Sequence, residues 1–268
     1  MAEGPLRMSQ RMATGAGVLL WVNEVGTGSP LILLHGVGSS GSSWLPVIRT
    51  LAARFHLIIP DQRGHGRSDK PDRGYLIENY ADDLDALIAR LDEAPYILGH
   101  SLGGLAAVTW AKVHPDSARA VLLEDMPPRL NADRAPQLRE WADMAAMSVP
   151  DLVAHYLREN PHWSPVDAKR RAEMLTSTRP EVFRELHDRA QALPPIDMFD
   201  GLEAIRSPIE LIYGDSALGG QVPAPRGRAF AELGPNFSSV FIAGASHAIH
   251  RDSTGPFLKA VLAFFGKH

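Results

Sequence analysis

Cysteine is absent from this chain. That excludes disulfides, a thiol nucleophile and cysteine-based zinc sites, and it suits a reducing cytosol. Basic runs are missing too. Lysine plus arginine (27) fall below aspartate plus glutamate (31), for a net charge of −4, so nucleic-acid binding has no electrostatic support. No apolar stretch approaches the ~18–20 residues that span a bilayer. Residues 1–17 carry Arg7 and Arg11 but lack the apolar segment of a secretory signal. Internal repeats and low-complexity tracts are also lacking. The glycine-rich run 36–41 is not followed by G-K-[ST], so it is no phosphate loop. What remains is a chain of 268 residues with ordinary apolar (45%) and charged (22%) content. That fits one α/β domain, or one domain with an insertion, large enough to bury a sizeable core. The expectation is a cytoplasmic protein, monomer or homodimer, that meets a small molecule rather than a nucleic acid or a membrane.

The most informative stretch is Gly99-His100-Ser101-Leu102-Gly103, which has the form G-x-S-x-G. An apolar run enters it and a helix-like run leaves it. This is the strand–turn–helix setting of a nucleophile elbow, where a sharp turn lifts a serine hydroxyl clear of the backbone. Strand and helix crowd together at such a turn. Gly99 and Gly103 supply the small neighbours it needs.

Around the elbow, strand and helix alternate. Short apolar runs at 18–25, 30–34, 57–60, 96–98 and 119–123 read as strands, most of them buried on both faces. Helical spacing appears at 44–55, 80–91 and 105–111. The rhythm implies a parallel sheet covered on both faces, whose ligands bind at the carboxyl ends of the strands. His35, Asp61, Ser101 and Asp125 all stand just past such ends. From 127 to 200 the rhythm breaks. No strand-like run appears, and short helices are expected at 139–146, 150–158, 165–175 and 180–193. A connection of this length is too long for a plain loop and reads as a helical cap (lid). Trp141, Met144, Met147, Tyr156 and Trp163 either line a pocket beneath it or form its own core. Strands return at 209–213 and 238–242, with helices at 225–233 and 257–265.

A serine hydroxyl needs a base within hydrogen-bond reach, and the base needs an orienting acid. Ser101 is the candidate nucleophile. His247, on the turn after the last strand, is the candidate base, in the chain order that this kind of elbow uses. His35, His65 and His100 belong to turns and read as structural. The developing oxyanion requires backbone donors. These are expected from Leu102, which follows the serine, and from Val37, in the loop after the 30–34 strand.

Four segments carry a resemblance: H-G-V-G at 35–38, D-Q-R-G-H-G-R-S-D at 61–69, G-H-S-L-G-G at 99–104 and G-A-S-H at 244–247. In this order and spacing the chain resembles the α/β-hydrolase superfamily over nearly its full length. The resemblance implies an eight-stranded, mostly parallel sheet with helices on both faces. It places the core at 1–126 and 201–268 and a cap at 127–200, inserted after the sixth strand. It also implies a Ser-His-acid triad with no metal and no organic cofactor. Many members carry the acid after the seventh strand as G-x-x-D, but here that run is Gly214-Asp215-Ser216-Ala217. Asp125 is favoured instead, a placement that resembles zearalenone-type lactonases. Asp215 is the alternative and Glu124 a third candidate. The implied activity is hydrolysis of an ester or lactone of a hydrophobic small molecule. Alternatives on the same fold are carbon–carbon bond hydrolysis of the meta-cleavage type, cofactor-free perhydrolase or haloperoxidase activity, and a ligand receptor.

Overall fold

In a computed structural model, residues 7–13, 17–130, 132–192 and 194–268 are described. Residues 1–6 and 14–16, on which the reading of the N-terminal stretch partly rests, lie outside them, as does the expected helix end at Leu193. Among the described residues, ten strands occur in the order β1 (Arg7–Ala13), β2 (Leu19–Val25), β3 (Pro30–Leu34), β4 (His56–Asp61), β5 (Tyr96–His100), β6 (Ala120–Glu124), β7 (Arg129–Leu130), β8 (Ile196–Asp197), β9 (Ile209–Tyr213) and β10 (Phe237–Phe241). The helices are α1 (Leu45–Ala52), α2 (Ile77–Ile88), α3 (Leu102–Val113), α4 (Ala135–Ala145), α5 (Val149–Glu159), α6 (Pro165–Thr176), α7 (Pro180–Ala192), α8 (Ala224–Ala231), α9 (Ile249–Asp252) and α10 (Thr254–Phe265).

Eight strands form one sheet in the order β1-β2-β4-β3-β5-β6-β9-β10. β2 runs antiparallel to both of its neighbours, β1 and β4, and the six strands from β4 to β10 in the sheet are mutually parallel. In β3, β5, β6 and β9 every residue is buried, which is why these strands are predominantly apolar. The two-residue period of a strand divides them between two cores. Ile32 and Leu34 join α2 and α3 on one face, while Leu31 and Leu33 join α1 and α10 on the other. The chain steps from β3 to β4, then crosses back over β3 to β5. That reversal opens a crevice beyond the carboxyl ends of β3 and β5. Among the described residues, no helix is long and apolar enough to cross a membrane.

Between β6 and β9 lie α4 to α7, packed around a cluster of their own that includes Leu152, Tyr156, Ala172, Leu175 and Phe183. The starts of α5 and α6 are set locally. Ser148 and Ser164 accept from the backbone N–H groups of Asp151 and Asp167, with proline in the first turn, the preferred opening of a helix. One sequence expectation needs correction here. The 127–200 stretch does hold strand: β7 and β8 pair antiparallel at its base. Two-residue strands are too short to leave a periodic signal.

Candidate active site

β5 and β6 are in register, with His100 opposite Glu124. The ladder continues one residue further, where the Ser101 N–H donates to the Glu124 carbonyl at 3.0 Å. Ser101 and Asp125 are therefore neighbours, each one residue past its strand. They are also the two non-glycine residues with positive φ among those described, at 51° and 42°. Such backbone is costly and persists only where its surroundings over-determine it. Around Ser101 the constraint is visible. A methyl group on Gly99 would collide with the backbone of Gly103, and one on Gly103 with the Leu34 carbonyl. The tight turn swings Ser101 to the cavity mouth at the first turn of α3.

Asp125 is fully buried, yet its carboxylate is well supplied with donors. The Gln221 N–H reaches Oδ2 at 2.7 Å and the Gly214 N–H reaches Oδ1 at 3.4 Å. The His247 Nδ1–H donates to Oδ2 at 2.6 Å. These partners offset the cost of burying a carboxylate. They also fix the tautomer that leaves Nε2 of His247 bare and able to take a proton. Asp215 does something else: its Oδ1 accepts from the Ala217 N–H at 2.9 Å and caps a single helical turn. Glu124 points away from Asp125, as alternation along a strand requires. It accepts from the N–H and the Nδ1–H of His250 at 2.8 and 2.9 Å, with both side chains buried. This second carboxylate–imidazole pair pins α9 and the turn that carries His247. From the other side, the Nε2–H of His100 donates to the His247 carbonyl at 3.0 Å. Burial and the adjacent His247 and His250 hold the His100 pKa well below its ordinary value.

The loop after β3 is braced in the same way. His35 donates from Nδ1 to the Gly36 carbonyl at 2.8 Å and accepts the Gln62 N–H on Nε2 at 2.9 Å. His65 donates from Nδ1 to the Arg63 carbonyl at 2.8 Å and accepts the Gly38 N–H on Nε2 at 3.2 Å. Both rings must be neutral to accept. Burial lowers His35 and, with the neighbouring His35, takes His65 down to about 3. Asp61 accepts from the Gly41 and Arg67 N–H groups. Arg171 reaches across from α6 to donate to the Gly38 carbonyl at 2.6 Å. Val37 is thus held between fixed neighbours, facing the same cavity as Leu102. The first N–H groups of a helix have no intrahelical acceptor, so the start of α3 offers donors beside Ser101.

The cavity measures about 480 Å³ and is bordered by Ser101, His247, Val37, Leu102 and Gln221. Trp141 lines it, from α4. Met144, Tyr156 and Trp163 do not. They pack in the cluster inside the helical segment, with Tyr156 against Trp163 at 5.6 Å between ring centroids. Sequence reading could not separate the two groups, because helical spacing gives a face but not what that face meets. It also missed Arg189 and Gln221, both of which line the cavity. Arg189 had a usable signal: it shares one helical face with Leu186 and Ala190, an arginine within an apolar stripe. Gln221 lies in a turn after β9 and had none.

A bare imidazole nitrogen, a buried carboxylate behind it, a serine on a strained turn and backbone donors can together perform nucleophilic acyl transfer. Comparison with known proteins finds hydrolases similar to this chain. A family model described as alpha/beta hydrolase fold matches residues 29–165. The chain is 29% identical to 2-(acetamidomethylene)succinate hydrolase from Mesorhizobium japonicum, over 96% of this chain and 95% of that one. It is 30% identical to a pimeloyl-[acyl-carrier protein] methyl ester esterase from Chromobacterium violaceum, over 90% and 96%. A crystal structure of E-2-(acetamidomethylene)succinate hydrolase superposes with a TM-score of 0.81 at 26% identity, over 97% and 99%.

Proposed function

The chain belongs to the alpha/beta hydrolase fold family, and on that premise we propose that it is a serine hydrolase cleaving a carboxylic ester or lactone of a small, largely apolar molecule. Ser101 Oγ attacks the carbonyl carbon while His247 Nε2 takes its proton. Asp125 holds the imidazole and stabilises the imidazolium that forms. Negative charge on the carbonyl oxygen is met by the N–H groups of Leu102 and Val37. The tetrahedral intermediate collapses, the alkoxide leaves with the proton from His247, and an acyl-serine remains. Water, deprotonated by the same imidazole, then releases the acid and restores Ser101. No metal or organic cofactor enters these steps. The helical segment 127–200 serves as a cap over the acyl group, and Trp141 is one of its contacts with substrate.

The observation that carries this reading is the 2.6 Å contact between His247 and Asp125, beside a serine at φ 51° on the wall of one cavity. The test is hydrolysis of a panel of p-nitrophenyl esters and aryl lactones by the native protein and by Ser101→Ala. Turnover lost in the variant supports the reading. Equal turnover by both proteins, or none by the native protein on any member of the panel, counts against it.

A further inference from the structure

The cavity wall is mostly apolar, but its charged members are unbalanced. Lys112, Arg129 and Arg189 line it, against Glu78 as the acid. Two of the cations are occupied. Lys112 Nζ donates to the Met198 carbonyl at 3.4 Å, and Arg129 faces Asp197 at 3.8 Å. Arg189 differs. Its Nη1 is buried and has no hydrogen-bond partner among the described residues. A buried guanidinium N–H without an acceptor is costly, and Arg189 lines the space that Ser101 and His247 also border. It is also well supported. α7 presents Leu186, Arg189 and Ala190 on one face, while Gln137, Leu138 and Trp141 of α4 line the same space.

We infer that the substrate carries a free carboxylate, bound by Arg189, at the end opposite the carbonyl that Ser101 attacks. This rests on the serine-hydrolase reading and narrows it to monoesters, lactones or comparable acyl derivatives of a dicarboxylic acid. The planar guanidinium fork matches a carboxylate in two parallel hydrogen bonds. A single available guanidinium in an apolar wall suits one negative charge, whereas a phosphate dianion would call for several donors. The apolar residues between the two ends take the methylene chain.

Two measurements separate this inference from the reading beneath it. The first is calorimetric binding of adipate, which needs no turnover, to the native protein and to Ser101→Ala, Arg189→Lys and Arg189→Met, with circular dichroism to establish that each is folded. Adipate is expected to bind the native and Ser101→Ala proteins, about tenfold or more weakly to Arg189→Met, and with an intermediate loss to Arg189→Lys. Equal binding by Arg189→Met, or no binding by the native protein, overturns the carboxylate site. The second is kcat/KM for mono-p-nitrophenyl adipate against p-nitrophenyl hexanoate, which differ chiefly in the terminal carboxylate. The ratio is expected to favour the anionic ester in the native protein and to fall at least about tenfold in Arg189→Met. A ratio that is unchanged by the substitution overturns the inference even if Ser101-dependent turnover is strong. Turnover of neither ester, with Arg189-dependent adipate binding intact, removes the hydrolase reading and leaves the carboxylate site standing.

Discussion

At the ends of β5 and β6, Ser101 and Asp125 occupy backbone at φ 51° and 42°, and the glycines beside the serine leave no room for a methyl group. In α5 and α6, by contrast, the chain is ordinary helix under serine caps, with proline and polar residues in the opening turns. Ser101 borders the cavity, whereas α5 and α6 pack in the cluster of the helical segment, and the two regions are held differently. The strand ends are fixed by close backbone approach, by buried histidines in neutral form and by carboxylates that are ringed with donors. The helical segment is fixed by amphipathic packing, by its serine caps and by polar contacts such as that of Arg171 with the Gly38 carbonyl. On the proposed reading, chemistry sits where geometry is over-determined, and selectivity where side chains can change at small cost.

The sharpest break of this contrast is at the two aspartates. Asp125→Asn is expected to lower kcat by about 10⁴-fold, because the amide cannot hold the productive tautomer. Asp215→Asn should leave kcat within a few-fold, since asparagine caps a helical turn as well as aspartate does. Steady-state kinetics on one ester decides between them, and the reverse ranking would move the orienting role to Asp215.

A backbone test comes next. Gly103→Ala forces a methyl against the Leu34 carbonyl and should cost more than about 3 kcal/mol, read as a lower urea midpoint. A variant as stable as the native protein would mean that the elbow is far looser than the contrast requires.

Acid should weaken the braced loops selectively. Unfolded histidine takes up a proton near its ordinary pKa of about 6.5, whereas burial holds folded His65 near 3 and lowers His35 and His100 too. Stability from these rings is complete above the unfolded pKa and is lost as pH falls toward the folded one. His65 alone should remove about 2 kcal/mol by about pH 5. Urea titrations at about pH 7.5 and about pH 5 measure this, and unchanged stability would show that the rings are not held neutral.

The smallest effect belongs to the helical segment. Ser164→Ala removes the acceptor for the Asp167 N–H and should cost about 1 kcal/mol, with kcat changed far less than in Asp125→Asn. A loss of activity as large as that of Asp125→Asn would erase the distinction between the two regions.

How much of this was legible in the chain depends on the range of the interaction that sets each feature. The runs at 30–34 and 209–213 mark β3 and β9 to the residue, because a strand buried on both faces is predominantly apolar, with Glu210 the one charged residue within them. The elbow could be read because strand, turn glycines and helix are contiguous. β7 and β8 left no trace, since their pairing joins residues 66 or more apart through only two positions each.

By itself, then, the sequence determined the alternation of strand and helix, the strained turn at Ser101 and the placement of His247 after the last strand. Each follows from local backbone preference and hydrophobic period. The tertiary structure alone decided which carboxylate meets that imidazole. Asp125, Asp215 and Glu124 all stand at strand ends, and the parallel register of β6, β9 and β10 brings Asp125 to His247 across 122 residues. It decided the cavity wall as well, seating Trp141 and Arg189 in it and turning Met144, Tyr156 and Trp163 inward. A helix encodes its own apolar face, but what that face touches depends on how helices far apart in the chain are packed.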